Sequence, residues 1–346
     1  MASPASNRPF VSFCFTTFKR GEVLRSTLLT VQRQTFSDFE VIVSDNDPAG
    51  SGRFYVESLN DPRFKYFPNN ENLGMKPSFN KSLERSSGEF IVMIADDDPV
   101  YPEMLEVLVK LHKEYPGYGM YMGGCDWFCT DKQVAKMNNL RVGTNSCISS
   151  DYDLNYIKEF KTDEFITTLF TFGIFKHYLW STAMVERQLL VSMGGVPDYG
   201  TPFLGDFAYM SIASAKKGCV VINRSLGCQT MHKENFGRNQ DEQLPVLAKK
   251  FPTYLEDKLS GIDNWPKVKN VIRNFLGLWL VGHMAFLYKY KRINKIDYTS
   301  LTAAEQEVFS NEFMKKYKLK YVLKKRFPAL HNTAVKLKKT FTGRRD

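Results

Sequence analysis

A chain of 346 residues is long enough for one large α/β domain with an appendage or for two modest domains, and 43% hydrophobic with 24% charged residues is the composition of an ordinary folded protein. Residues 1–10 are small and polar, so no signal peptide is expected, and the longest strongly apolar stretch, residues 275–288, falls short of the roughly 20 residues a membrane span needs and reads as a buried or interfacial helix. The net charge of +10 is concentrated in residues 311–346, which hold 12 Lys or Arg against Glu312 and Asp346; a basic tail on a neutral body points to an anionic surface, lipid or nucleic acid.

The first hundred residues alternate between strand and helix signals. Residues 10–15 (FVSFCF) are an apolar, β-rich run, and residues 22–34 carry helical spacing through Val23, Leu24, Leu28, Leu29 and Val31. A second buried strand, residues 39–44 (FEVIVS), runs into Asp45-Asn46-Asp47-Pro48. A short strand over 64–67, a helix over 77–85 and a strand over 90–94 (FIVMI) follow, the last running into Asp96-Asp97-Asp98. Continuous apolar strands separated by helices predict a mainly parallel sheet covered on both faces, in which ligands collect at the carboxyl ends of the strands. Thr16-Thr17-Phe18 and the two acidic turns all stand at such ends, so three strands aim polar groups at one rim. Beyond residue 105 the pattern predicts helices over 105–112, 165–172, 182–193 and 205–215. Strands are predicted over 119–123, leading to Asp126, and over 219–222, with an irregular insertion over 137–156. From about residue 243 the chain reads helical, ending in the Lys-rich segment, so the expected division is 1–240, with halves at about 8–105 and 106–240, and a helical region over 241–346.

Three adjacent carboxylates at the end of a buried strand repel one another, and a bound divalent cation supplies a reason to place them there. Mg²⁺ or Mn²⁺ takes hard oxygen ligands and leaves positions for phosphates. The competing account is a solvated turn in which Asp98, before Pro99, caps a helix. The six cysteines lack zinc-ligand spacing beyond the Cys125/Cys129 pair and read as free thiols of a reducing compartment.

Val11-Ser12-Phe13, Thr16-Thr17-Phe18 and residues 34–46 (QTFSDFEVIVSDN), continued in order by Asn72-Leu73-Gly74, Asn80, Ser87-Gly88-Glu89-Phe90-Ile91 and Asp96-Asp97-Asp98, resemble the opening of the family 2 inverting glycosyltransferases of the GT-A fold. The match is specific over roughly residues 10–105. It is echoed at Gly194-Gly195-Val196-Pro197 and Gly205-Asp206, and the last hundred residues match nothing in the family. The resemblance implies an α/β, Rossmann-like fold with a mainly parallel mixed sheet flanked by helices and a C-terminal helical extension. It implies inverting transfer of a sugar from a nucleotide-diphosphate sugar, most often a UDP-sugar, to an acceptor hydroxyl, as in bacterial surface polysaccharide assembly.

By the same resemblance Thr16 and Phe18 line the nucleotide pocket with the Phe18 ring against the base, where the family more often has Tyr; a core aromatic at a strand end is the plainer role. Asp45 accepts a hydrogen bond from the base, or else simply forms a turn. The Asp triplet stands for the family's D-x-D motif: the literal match pairs Asp96 with Asp98, whereas counting back from Pro102 makes Asp97 the metal ligand with Asp96 facing the ribose, so all three are carried as candidates. Asp206, after Gly205 in place of the family's usual first acid, is the expected general base, with a helix-capping role as the alternative. His232 is placed near the metal or diphosphate. Lys233 and Arg238 are candidates to neutralise the diphosphate and Trp180 to stack on a sugar, although exposed cations and buried tryptophans are commonplace. The implied cofactor is Mn²⁺ or Mg²⁺, and the implied partners are a nucleotide-sugar and a saccharide or glycolipid acceptor.

Two rivals are weighed. A nucleotidyltransferase would carry a Gly-rich phosphate loop after the first strand, and Thr16-Thr17-Phe18-Lys19-Arg20-Gly21 is not one. A nucleic-acid-binding protein would use the basic tail, but that tail lacks Arg-Gly repeats and reads as an amphipathic helix suited to a membrane surface, or as a solvated exterior. A cytoplasmic protein, peripheral on the inner face of the membrane and without a nucleic-acid partner, is the expectation.

Overall fold

Strands β1 (Val11–Thr17) and β2 (Phe39–Asp45) are buried at nearly every position, as strands covered by helices on both faces must be. The computed structural model describes residues 8–233, 235 and 239–327. By internal contacts the chain divides into two units, Met1–His232 with Lys258–Trp265, and Lys233–Asp257 with Pro266–Asp346. The first boundary between the units lies at 232/233, and Lys258–Trp265 returns to the first unit.

In the first unit, α1 (Gly21–Gln32), α2 (Arg53–Glu57), β3 (Phe64–Pro68), α3 (Met75–Arg85), β4 (Phe90–Ala95) and α4 (Met104–Glu114) complete the first half. The second half supplies β5 (Met120–Cys129), α5 (Lys132–Asn138), β6 (Gly143–Asn145), β7 (Ile157–Phe160), α6 (Glu164–Thr171), a 3₁₀ turn (Trp180–Thr182), β8 (Ala183–Glu186), α7 (Arg187–Ser192), α8 (Gly205–Lys217) and β9 (Cys219–Met231). The strands form one sheet in the order β3-β2-β1-β4-β8-β5-β9-β7, with β6 paired to β5. Strands β3, β2, β1 and β4 are parallel, β8 is antiparallel to both β4 and β5, and β9 runs parallel to β5. The core packs Phe13, Phe15, Val41, Val92 and Ile94 against Leu24, Leu28, Leu105 and Leu108 of the covering helices.

Two expectations are corrected. The helix expected over 182–193 is the end of the 3₁₀ turn, then β8, then the short α7. Ala183, Met184 and Val185 are all buried between β4 and β5, so no alternation marked them as a strand. The strand expected over 219–222 continues to Met231 through a register shift opposite Gly123 and Gly124. Asn223, Arg224 and Ser225 interrupt its apolar run at that irregularity. The region read as an irregular insertion also holds all of β6 and the end of α5, which Asp131 caps through hydrogen bonds from the Gln133 and Val134 amides.

The second unit is helical over its described residues: α9 (Gln243–Leu259), α10 (Trp265–Ile293), α11 (Thr299–Ser310), α12 (Glu312–Lys315) and α13 (Lys318–Arg326). Helix α10 extends well beyond the apolar stretch read from sequence. Among the described residues it alone is long and apolar enough to cross a membrane, and half of its apolar window is buried within the fold. Val268, Ile272, Leu276, Leu280, Met284 and Leu287, spaced three or four apart, make its buried stripe.

Candidate active site

The carboxyl ends of β1 and β4 lie side by side, because Thr16 is in register with Ala95. The next residues therefore meet. Thr17 Oγ1 donates to Asp96 Oδ2 at 2.7 Å, and Thr27 of α1 donates to the Asp96 carbonyl at 2.8 Å. Arg20, just ahead of α1, bridges two carboxylates, with Nη1 2.9 Å from Asp96 Oδ1 and Nη2 2.7 Å from Asp97 Oδ2. His232, delivered by the long β9, places Nε2 3.2 Å from the same Asp97 oxygen. Asp98 turns the other way, into the interior, where it accepts from the Thr230 amide and Ser181 Oγ at 3.4 Å each.

Their surroundings therefore set the three carboxyls apart in acidity. Burial pushes Asp96 up to about 6 although Arg20 opposes the shift. Burial acts on Asp97 too, but His232 and Arg20 outweigh it and hold that carboxyl below the ordinary range. Asp98 is raised well above the ordinary value by burial and by the neighbouring Asp97 charge. Among the described residues, no three His, Cys, Asp or Glu gather as a metal cage. The donors that converge are Asp97 and His232. A Mg²⁺ or Mn²⁺ that also binds phosphate oxygens needs only one or two protein ligands, so this pair fits such a cation. Asp96 is paired with Arg20 and Thr17, and Asp98 faces the interior.

The loop carrying the triplet is fastened along its length. Gln34 donates to the Tyr101 carbonyl at 2.7 Å and accepts from the Leu105 amide, and the Thr35 amide donates to the Pro102 carbonyl. On the other side β9 exchanges backbone hydrogen bonds with the loop, Tyr101 N to Leu226 O and Cys228 N to Pro99 O. Gly227 stands between them, and a Cβ there would lie 2.9 Å from the Pro99 carbonyl oxygen. The Pro99 carbonyl oxygen and Val100 Cα are backbone and cannot swing aside as the end of a side chain could. Gly227→Ala is expected to cost about 1–3 kcal/mol and to weaken metal and nucleotide binding by shifting the Asp loop; thermal melts and nucleotide titrations check it.

Asp206 lies in the first turn of α8 and is half-buried. Leu204 ahead of it has φ 58°, a left-handed conformation unusual for a side chain of its size, which fixes where the helix starts. Burial pushes the Asp206 carboxyl up to about 6, against the lowering pull of the Phe207 amide, which donates to Oδ1 at 3.0 Å. The loop before it is tied to α3. Lys76 Nζ donates to the Thr201 carbonyl (2.6 Å), pairs with Asp198 (3.2 Å) and lies 4.1 Å from the Tyr199 ring centroid, while Asn80 Oδ1 accepts from the Val196 amide at 2.8 Å. Sequence reasoning missed Lys76. A lysine within a helix-starting segment carries no signal that it is 5% exposed.

The remaining predicted residues divide. Phe18 is 39% exposed, and Lys19 Nζ lies 5.2 Å from the centre of its ring. Thr16 is committed to Ser78 through its hydroxyl. Asp45 is fully buried and accepts from the Asp47 and Gly52 amides and from Tyr66 Oη, the turn-forming role, with at most one acceptor position left for a base. Trp180 is corrected: at 6% exposure, with its ring against Phe79 and Tyr209, it is a core residue without an open face for a sugar. Lys233 is exposed and begins the second unit, and Arg238 lies outside the described residues.

The Glycosyl transferase family 2 model matches residues 12–190, just over half of the chain. The GalNAc(5)-diNAcBac-PP-undecaprenol beta-1,3-glucosyltransferase of Campylobacter jejuni is 35% identical over 121 residues, 34% of this chain and 38% of that protein. The UDP-Glc:alpha-D-GlcNAc-diphosphoundecaprenol beta-1,3-glucosyltransferase WfgD of Escherichia coli is 27% identical over 29% of this chain and 40% of its own. The chain thus aligns with about two fifths of the length of these relatives. Among solved structures, Staphylococcus aureus TarS 1-349 in complex with UDP-GlcNAc superposes with a TM-score of 0.57 at 13% identity, covering 89% of this chain and 91% of that one. The mannosyltransferase PcManGT of Pyrobaculum calidifontis, in complex with GDP-Man and Mn²⁺, gives 0.52 at 15% identity over 93% and 88%. The fold shared with both is GT-A.

Proposed function

The chain belongs to glycosyl transferase family 2, and from that premise we propose that it transfers a sugar from a nucleotide-diphosphate sugar, a UDP-sugar first, to a hydroxyl of a saccharide acceptor with inversion. The observation that carries the reading is the convergence of Thr17, Arg20, Asp96, Asp97 and His232 where β1, β4 and β9 end. The Arg20 guanidinium and ionised carboxylates at the carboxyl edge of a parallel sheet suit a diphosphate and its counter-ion.

In this reading the nucleobase lies on the exposed Phe18 ring and Asp96 faces the ribose. Asp97 and His232 would hold Mn²⁺ or Mg²⁺, whose charge would offset that building on the departing diphosphate. Arg20, already paired with two carboxylates, adds positive charge at the same place. Asp206 takes the proton of the acceptor hydroxyl as that oxygen bonds to the anomeric carbon and the bond to the diphosphate breaks. A carboxyl whose burial raises it toward neutrality is a better base than an exposed one and is still ionised at pH 7. One displacement inverts the anomeric configuration.

The two relatives named above act on polyprenol-linked sugars by their names, and the same acceptor class is proposed here: a lipid-linked saccharide at the cytoplasmic face of a membrane. A panel of UDP-, GDP- and dTDP-sugars incubated with Mn²⁺ is expected to show release of nucleoside diphosphate from at least one donor. Undiminished turnover of that donor by an Asp96/Asp97/Asp98→Ala variant, or no turnover of any donor with or without lipid-linked acceptors, overturns the proposal.

A further inference from the structure

Helix α13 is fastened by one face only. Tyr321, 3% exposed, donates its hydroxyl to Glu305 of α11 and packs its ring 5.2 Å from Phe309. Lys325 pairs with the same Glu305 at 2.7 Å and lies 4.3 Å from the centre of the Tyr288 ring. On the other side Leu319 is 71% exposed, Leu323 38%, and Phe327, next after the helix, 51%. Spacing of four brings these three to one face, as a stripe instead of scattered single residues. Lys318, Lys320 and Arg326 are exposed on the same short helix, which contains no acidic residue.

Charge decides what such a face meets. Residues 328–346 add five more Lys or Arg against Asp346 alone. A second copy docking through this face would bring two such positive fields together, since a two-fold interface meets itself. Nucleic acid would satisfy the cations and leave the leucines and phenylalanine in water. An anionic bilayer satisfies both, because its headgroups take the cations while the acyl boundary takes the apolar stripe.

We propose that the outward face of α13 (Leu319, Leu323 and Phe327 with Lys318, Lys320 and Arg326) docks in the headgroup layer of an anionic membrane. The proposal rests on the reading of a lipid-linked acceptor for its purpose. Vesicle binding needs neither donor nor acceptor, so the two readings fail separately.

The test is co-sedimentation of the full chain with phosphatidylcholine vesicles, with and without phosphatidylglycerol. Binding is expected only with the anionic lipid, and it weakens as salt is raised. Leu319→Asp/Leu323→Asp is expected to lower the bound fraction at least about tenfold, with circular dichroism and melting temperature unchanged because both side chains already face water. Lys318→Gln/Lys320→Gln/Arg326→Gln is expected to weaken binding and flatten its salt dependence. Sedimentation of either variant like wild type overturns the proposal, as does equal binding to neutral vesicles. A dimer in analytical ultracentrifugation that Leu319→Asp/Leu323→Asp dissociates also overturns it, and so does a nucleic-acid gel shift that only the charge variant abolishes.

Discussion

Asp206→Asn is expected to lower kcat for glycosyl transfer by about 10²–10⁴-fold, the usual contribution of a positioned base, while making the folded protein more stable above pH 6. The two effects have one cause. Burial at the start of α8 raises the carboxyl to about 6, above the roughly 3.9 of an unfolded aspartate. Between those values the folded chain holds a proton that the unfolded chain has lost. Stability therefore falls as pH rises through that window, and the whole penalty, at most about 3 kcal/mol for two pKa units, is present above pH 6. The amide removes the ionisation and retains an acceptor for the Phe207 amide. Wild-type kcat should rise through an acidic limb near pH 6, and melts at pH 5 and pH 8 should show the variant's stability gain over wild type roughly doubling at the higher pH. An Asn variant with near wild-type turnover at pH 8 removes Asp206 from the chemistry. A variant that is inactive but equally stable at both pH values would keep the base and refute the burial.

What could be read from the residues alone follows from where the physics is local. The strands FVSFCF, FEVIVS and FIVMI announced themselves because burial on both faces demands uninterrupted apolar residues, and β1, β2 and β4 lie within one or two residues of those runs. Placing Thr17 beside the Asp turn followed from the same strands. The tertiary tethers had no such local signal. Gln34 entered only as one letter of a resemblance, yet both ends of its amide grip the Asp loop. Lys76 looked like any helical lysine until its ammonium appeared under the Thr201 carbonyl. The continuation of β9 beyond Ile222 was hidden by polar residues at its register shift, and that continuation is what carries His232 to Asp97. Within the triplet composition is uniform, and the literal motif match and the count back from Pro102 pick different carboxylates, so the sequence left the register open. Only their surroundings separate the three.

That separation yields the second large effect. Asp97→Asn is expected to weaken Mn²⁺ binding in the presence of UDP at least about 100-fold, since even groups that merely support a metal ligand are worth 10–100-fold, and donor turnover should fall with it. Its Oδ2 alone receives both Arg20 at 2.7 Å and His232 at 3.2 Å; an amide removes the charge that draws Arg20 and weakens the contact with His232, leaving Arg20 to Asp96. Asp98→Asn, one residue away, should bind Mn²⁺ within a few-fold of wild type. Its carboxyl is already driven toward the neutral form by burial. The Asn oxygen still accepts from the Thr230 amide, and its NH₂ group finds an acceptor in Ser181, whose hydroxyl both donates and accepts. Calorimetric titration of Mn²⁺ into each UDP-loaded variant reads the contrast directly. If Asp98→Asn abolishes binding while Asp97→Asn spares it, the ligand is one residue later than the contacts of His232 indicate, and the pairing of Asp97 with that histidine is a structural ion pair with no part in holding a metal.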